Sequence, residues 1–439
     1  MPEAVHVIGA GLAGVEAAYC LAQSGVEVQL FEMRPVRMTP AHTTDNLAEL
    51  VCSNSLKGTD PTTAHGLLKK ELGQLDSLVL QNAIETRVPA GKALAVDREG
   101  FAARITAIIA SHARIHLTRR EVTHIDLDTP TIIATGPLTS EALTSEIDRL
   151  TGGRGLSFYD AISPIIESHS IDYDKAFFGS RWKPDDTDYL NCPLDQEEYD
   201  AFVKALLAAD TVVPHAFEET RYFEGCLPIE IMARRGAESL RFGPMRPVGL
   251  TDPHTGKRPY AVVQLRRENL KGDAYNLVGF QTRLIQGEQL KVLRLIPALA
   301  QVEILRYGSI HRNTFIDAPR LLTPDLSLRD HRNIVMAGQL AGVEGYMESA
   351  AMGIMAAYSI LVHRCGKPFT PPPPETAVGA LIHHITNATS KAFQPMNINF
   401  GIIPSPDVAK KFKRQALLER ETLAFSDWLN TFRMTLDRG

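Results

Sequence analysis

A chain of 439 residues, 44% of them hydrophobic, is long enough for two or three lobes with their own cores. The net charge of −5 does not mark a bulk nucleic-acid binder, and no run reaches the roughly 18 apolar residues that a membrane-spanning helix needs. Five cysteines without a Cys-x-x-Cys pair exclude a regular disulfide framework and fit a reducing compartment, and no metal site is expected.

The first forty residues carry the most specific pattern. An apolar run from Val5 to Ile8 predicts a strand, Gly9-x-Gly11-x-x-Gly14 a tight turn, and Val15 to Gln23 a helix. A second strand from Val26 to Phe31 ends on Glu32. Of the three glycines, one allows the turn, one lets a pyrophosphate approach the backbone, and one lets the helix pack on the strand. Leu12 and Ala13 fall within the glycine turn, ahead of the helix N-terminus, where free N–H groups and the dipole favour an anion. Glu32, eighteen residues after Gly14, is placed to bond a ribose hydroxyl.

From Met33 to Gly58 the chain reads as a long polar loop over the cofactor, and it contains Cys52-Ser53-Asn54-Ser55-Leu56-Lys57. The spacing predicts one helix over 62–84, a strand over 93–97, a helix over 101–113, and short strands at 115–117 and 122–126. Thr131 to Pro137 reads as a buried strand ending in Thr135-Gly136, where a sheet can meet a dinucleotide, and 139–150 as a helix. From about 155 the pattern breaks into loops; a helix returns at 195–209, and from 211 to about 300 short strands alternate with turns. Ile334 to Ala337 is then a buried strand, followed by a second glycine-bearing turn, Gly338-Gln339-Leu340-Ala341-Gly342-Val343-Glu344-Gly345-Tyr346, and a helix over 347–363. Such a helix start would face the N1–C2=O edge of a flavin, where negative charge collects on reduction.

The expected fold class is therefore α/β: a Rossmann-type FAD-binding domain with a discontinuous chain and an inserted smaller α+β domain. The expected boundaries are 1–190 and 305–439 for the FAD domain and 191–304 for the insert. There is one Gly-x-Gly-x-x-Gly, so one dinucleotide is expected to be held firmly, and the late turn favours FAD over NAD.

Cys20 and Cys365 read as packing residues, and Cys192 suggests no role. Cys52 and Cys226 differ. Cys52 lies in a polar segment, and Cys226 in the turn Glu224-Gly225-Cys226-Leu227-Pro228 near Arg221, Arg234 and Arg235, surroundings that favour a thiolate. From Arg221 to Arg283 there are 11 Lys or Arg against 6 Asp or Glu, so this stretch is positive within an acidic chain. Arg234, Arg235, Arg241 and Arg246, together with Lys257-Arg258 and Arg266-Arg267, are candidates for phosphate contacts, with a solvated charged face as the alternative.

Together the stretches VIGAGLAGVEAA, FEMRP, LVCSNSLK, PAGKALAVDREGF, IIATGPLTS, YFEGCLPIE, ESLRFGPMRPVGL and GQLAGVEGYMESAAMG resemble the folate- and FAD-dependent tRNA (uracil-5-)-methyltransferase family, related to larger flavoproteins that modify wobble uridines. The resemblance spans residues 5–354 in order. It implies that methylenetetrahydrofolate supplies a carbon, that reduced FAD carries it at N5 to C5 of the T-loop uridine at tRNA position 54, and that NADH or NADPH re-reduces the flavin. It also implies that Cys226 is the nucleophile, that Cys52 assists near the flavin, and that Tyr346 lies by the flavin–folate stack. Partners would be tRNA and folate, in the cytoplasm, with no membrane and no defined oligomeric state.

The chemistry agrees with the residue types. Uracil C5 becomes nucleophilic only after a thiolate adds at C6, a base must then remove the C5 proton, and a flavin can carry both carbon and hydride. The residues alone reach FAD, a reactive thiol and a basic lobe. They leave two alternatives open, an FAD oxidoreductase of a small molecule and a non-catalytic tRNA-binding flavoprotein. A thiol–disulfide flavin reductase is disfavoured, because it needs a close dithiol and a second nucleotide motif.

Overall fold

The computed structural model describes residues 4–153, 155–181, 187–212, 227–387 and 393–437. Cys226 lies outside the described residues. The chain opens with β1 (Val5–Ile8), α1 (Leu12–Gln23) and β2 (Val28–Glu32), and β1 and β2 pair in parallel with Val5 opposite Val28. Next come β3 (Ser55–Gly58), α2 (Ala64–Gln74), α3 (Leu78–Glu85), β4 (Arg87–Val88), β5 (Ala93–Val96), α4 (Arg98–Ser111) and β6 (Ile115–Arg119). The expected single helix over 62–84 breaks between Gln74 and Leu78, where Asp76 takes a positive φ of 56°. Its second half starts afresh because two residues cap it: Ser77 Oγ accepts from Leu80 N, and Glu16 of α1 accepts from the N–H groups of Leu78 and Val79 at 3.1 and 2.9 Å.

After β7 (Thr131–Ile133), α5 (Glu141–Thr151) is capped by Ser140 and stopped by Gly152 in the left-handed region. The expected strand at 122–126 does not form. The expected loops after 155 are instead β8 (Gly155–Ala161), followed by β9 (Ile165–Glu167), β10 (Phe177–Phe178) and β11 (Tyr189–Leu194). The second lobe continues with α6 (Gln196–Ala208), α7 (Ile229–Arg234), α8 (Ser239–Phe242), β12 (Ala261–Arg267), β13 (Ala274–Leu277), α9 (Gln286–Leu293) and β14 (Ile304–Arg306). The chain returns through β15 (Ile310–Ile316), α10 (Ala318–Leu321), β16 (Ser327–Leu328) and β17 (His331–Met336), then α11 (Tyr346–Arg364), α12 (Ala377–Asn387) and α13 (Lys413–Asp437).

Two six-stranded sheets organise these elements. The first runs β16-β17-β7-β1-β2-β6 and is parallel except for its β16 edge. Its central strands are buried on both faces, with Val5, Val7, Val28, Leu30, Ile132, Ile133, Ile334 and Val335 fully enclosed, which is why they read as continuous apolar runs. The chain leaves β1 toward β2 on one side and returns beside it as β7 on the other, so the glycine turn sits at the topological switch point. The second sheet runs β10-β11-β12-β13-β9-β14 and is antiparallel. It has its own core, including Leu190, Tyr199, Phe202, Leu240 and Leu265. The expected boundary at 190/191 falls inside β11, and β9 and β10 already belong to this sheet. The two lobes are joined by β8 and β15, paired antiparallel from Ala161–Ile310 to Gly155–Ile316. Among the described residues no helix is long and apolar enough to cross a membrane.

Candidate dinucleotide and thiol site

The first half of the site is made of backbone. Gly9 has φ +94°, and a Cβ there would lie 2.7 Å from Thr135 Cα. A Cβ on Gly14 would lie 1.8 Å from Gly9 O, so α1 can rest on β1 only through a glycine. Gly11 is the opposite case, since among the described residues its Cβ would meet nothing within 4 Å. That open space fronts the start of α1, where no side chain caps the first turn formed by Leu12, Ala13 and Gly14. It belongs to a cleft with about 550 Å³ of unfilled space, lined by Gly9, Gly11, Glu32, Arg34, Val122 and Thr135 among others. Two glycines filled by packing and one left open are what a pyrophosphate cradle requires.

Glu32 is buried and engaged. Its Oε2 accepts from Ala10 N at 3.0 Å and its Oε1 from the N–H and Nε–H of Arg34 at 3.1 and 3.0 Å. Burial pushes its carboxyl up, but the Arg34 guanidinium and these N–H donors outweigh that and hold it below the usual range. Oε2 keeps a lone pair for a further donor. Arg34, only 2% exposed, also reaches Glu49 Oε2 at 3.0 Å and Thr44 O at 3.1 Å, and so ties the 43–49 loop to the glycine turn. Beside it, burial and then Arg34 push the His42 imidazole down to about 4, so that it is neutral at physiological pH.

The late glycine turn closes on the same helix. A Cβ on Gly338 would stand 2.9 Å from the Ala13 Cβ, and one on Gly345 2.2 Å from Glu348 Oε2. Gln339 donates to Glu344 Oε2 at 2.6 Å, Gly342 packs under Phe393, and Gly136 leaves open space beside the cleft-lining Thr135 and Leu138. Tyr346 opens α11, which also lacks a side-chain cap.

The second half of the site is made of side chains gathered from far away. The irregular segment Leu50–Asn54 offers main-chain groups that no helix or sheet satisfies, and distant residues supply partners. Tyr346 OH accepts from Cys52 N at 2.9 Å. Arg98, at the start of α4, donates to Leu50 O and, at 3.1 Å, to Cys52 O. Arg306 on β14 donates to Val51 O at 3.1 Å and to Ala41 O at 2.7 Å. Arg266 on β12 donates to Asn54 Oδ1 and Ser53 Oγ, both at 2.8 Å, while Asn54 Nδ2 donates to Val96 O at 2.9 Å and Arg267 O at 3.0 Å. Burial pulls the Arg98 guanidinium down, but the charge of Glu268, with which it pairs, opposes this and the guanidinium ends shifted upward. Burial pushes Arg266 and Arg306 down. The segment carrying Cys52 is thus held by both lobes and by α11.

Glu348 of α11 continues this polar floor, with His65 Nδ1 at 3.6 Å and Lys57 Nζ at 4.0 Å. Burial, with Lys57 acting in the same direction, pushes the nearby Lys69 ammonium down to about 8.

Of the residues expected from the sequence, Gly9, Gly11 and Glu32 therefore line one cleft, Leu12, Ala13 and Gly14 form its helix start, and Cys52 meets Tyr346. Apart from Arg266, which holds Ser53 and Asn54, the arginine candidates are not with them. Arg234 and Arg235 end α7, Arg241 is in α8 and Arg246 in the turn after it, all on the second lobe. Cys192 is buried in the second core, and burial raises its thiol and that of Cys20 far above the usual value. Sequence reasoning missed Arg34, Arg98, Arg306 and Glu268, and it read Arg266 as a phosphate contact where the structure buries it against Asn54 and Ser53. Arg34 and Arg98 lie inside the FEMRP and DREGF stretches, and no local pattern marks Arg306 or Glu268.

Fold and site together define a two-lobed dinucleotide-binding protein of the glucose inhibited division protein A class, and that family's sequence model matches residues 4–368. Two crystal forms of Aquifex aeolicus GidA share the fold, each with a TM-score of 0.71 and 17% identity over 98% of this chain, and over 73% and 76% of theirs. Within that class the chain belongs to the methylenetetrahydrofolate–tRNA-(uracil-5-)-methyltransferase (TrmFO) family. It is 52% identical to the TrmFO protein of Koribacter versatilis over 97% of this chain and 98% of that one. It is 51% identical to that of Anoxybacillus flavithermus over 97% and 99%.

Proposed function

We propose that the chain methylates uridine 54 of the tRNA T-loop at C5, taking the carbon from methylenetetrahydrofolate and using FAD re-reduced by NADH or NADPH. The observation that carries this reading is the hydrogen bond from Cys52 N to Tyr346 OH, which seats a thiol-bearing segment on the helix that follows the late glycine turn. The names of the relatives supply the donor and the substrate class.

FAD fits the residues present. The open space over Gly11 would take its pyrophosphate, Glu32 Oε2 a ribose hydroxyl, and the uncapped start of α11 the flavin end. When bound, it supplies a carrier for the one-carbon unit and a hydride source. Cys226 is assigned the thiolate that bonds to uracil C6, which pushes electron density to C5 so that C5 bonds the incoming carbon. Loss of the C5 proton to a base releases the carbon from its donor nitrogen and leaves an exocyclic methylene, and hydride addition to that methylene expels the thiolate from C6 and leaves the methyl group. Cys52, fixed by Arg98 and Tyr346, is the second thiol close to the flavin end. Because the base must leave the tRNA elbow to be reached, the RNA is held on the lobe that carries Cys226.

The test is nucleoside mass spectrometry of an unmodified tRNA transcript incubated with the protein, FAD, NADH and either methylenetetrahydrofolate or S-adenosylmethionine. The expected result is 5-methyluridine with the folate donor alone. No product with either donor, from protein that retains FAD, would overturn the reading in favour of a small-molecule oxidoreductase.

A further inference from the structure

Among the described residues of the second lobe, Phe242 carries the most exposed aromatic ring. Phe242 closes α8 and is 71% exposed, whereas Leu240 before it and Met245 after it are completely buried. The ring is nonetheless held in place. The Arg241 guanidinium lies 4.3 Å from the centroid of the Tyr260 ring and 5.4 Å from that of Phe242. Arg241 is itself fixed, Nη1 to Glu238 Oε2 at 2.8 Å and Nε to Tyr260 O at 3.1 Å, while Tyr260 OH donates to Glu238 Oε1 at 2.8 Å. The turn after Phe242 is pinned to the core by Met245 N to Leu240 O at 2.8 Å and by Val262 N to Met245 O at 3.0 Å.

The surroundings are positive. Residues 228–260 contain six Lys or Arg and three Asp or Glu, and two of those acids, Glu230 and Asp252, are buried. Arg234 and Arg235 are exposed at the end of α7, which packs on α8, and Lys257 and Arg258 are exposed in the loop leading to Tyr260. A single exposed apolar side chain needs no explanation. A ring preorganised by a cation–π stack, on a face whose exposed charged residues are mainly cationic, has the composition of a site where an unpaired base stacks while arginines meet the flanking phosphates.

We propose that Phe242 is a stacking platform for an unpaired base of the RNA partner. This rests on the tRNA reading above and adds the residue that distinguishes an open loop from a duplex. A double helix offers this surface phosphates and groove edges but no free base face, whereas a loop from which one base is drawn out exposes the faces of its neighbours.

The test is a binding titration of a tRNA transcript across a salt series with the full chain and the variants Phe242→Ala, Phe242→Leu, Phe242→Trp and Arg234→Ala/Arg235→Ala. Phe242→Ala and Phe242→Leu are expected to weaken binding roughly tenfold with the salt slope unchanged, since no counterion is released at a ring, and Phe242→Trp to restore it. The arginine double variant is expected to reduce the slope by about one to two. On a blunt RNA duplex, the Phe242 variants should match the unaltered chain. Equal tRNA affinity in Phe242→Ala, an equal loss on the duplex, or an altered salt slope would overturn the platform while leaving the tRNA reading intact. Absence of tRNA binding by the unaltered chain would overturn the tRNA reading itself, and the platform with it.

Discussion

The glycine turn and the Cys52 segment are neighbours in the proposed function and opposites in construction. The turn is local: Gly9, Gly11 and Gly14 shape it with main chain alone, and its exact fit comes from atoms that are missing. The Cys52 segment is non-local: Arg98, Arg306, Arg266 and Tyr346 reach it from α4, β14, β12 and α11 to satisfy groups that secondary structure leaves unpaired. A backbone site tolerates change around it and fails on a single methyl group. A side-chain clamp fails in steps, each the size of one lost contact. The first suits a ligand held throughout turnover, and the second suits a thiol whose position both lobes control.

That contrast can be broken most severely at Arg98. Arg98→Ala leaves Glu268 charged and buried and removes the donor to two carbonyls, so destabilisation of about 3–5 kcal/mol is expected by denaturant unfolding, with faster alkylation of Cys52. Arg98→Lys keeps the charge and should recover part of the stability. Equal stability of Arg98→Ala and the parent would mean that the clamp does not hold the segment. Gly14→Ala comes next. Its Cβ would collide with Gly9 O at 1.8 Å, and a loss of about 3 kcal/mol, seen as a lowered thermal midpoint of the FAD-free chain, is expected.

Glu16 offers a pH-dependent handle on the helix beneath the turn. Burial pushes its carboxyl up to about 7, against the Ser77 hydroxyl and the N–H groups of Val79 and Leu78. A raised folded-state value means that the contribution to stability is complete below about 4.5 and is lost as pH rises to about 7, by on the order of 3 kcal/mol at most. The stability of the parent relative to Glu16→Gln should therefore fall between pH 4.5 and 7 and level off above. A flat difference would contradict the assignment. The smallest effect is expected from Tyr346→Phe, which removes the acceptor for Cys52 N and costs about 1 kcal/mol. It should also shift the bound-flavin absorbance, which a purely structural tyrosine would not do.

Much of the first site was legible because its physics is local. Spacing alone places the strand, turn, helix and acid, and the structure keeps them in phase. The helix over 62–84 was misread because its break depends on Glu16, which caps α3 from another helix. The clamp was illegible for the same reason, carried further. Its donors stand 46, 213 and 255 residues from the groups they satisfy, and an arginine bound to a carbonyl leaves no periodic trace. Cys52 could be singled out by its polar neighbours, but what fixes it could not.

The most direct test of the account is an FAD titration of the FAD-free parent and Gly11→Ala, followed by flavin fluorescence and by thermal midpoint in the same samples. Because a Cβ at Gly11 meets no atom of the described residues within 4 Å, the account predicts an unchanged midpoint without FAD and a loss of FAD binding. Gly11→Ala that binds FAD as tightly as the parent would contradict the claim that the open space at this turn is the cofactor's.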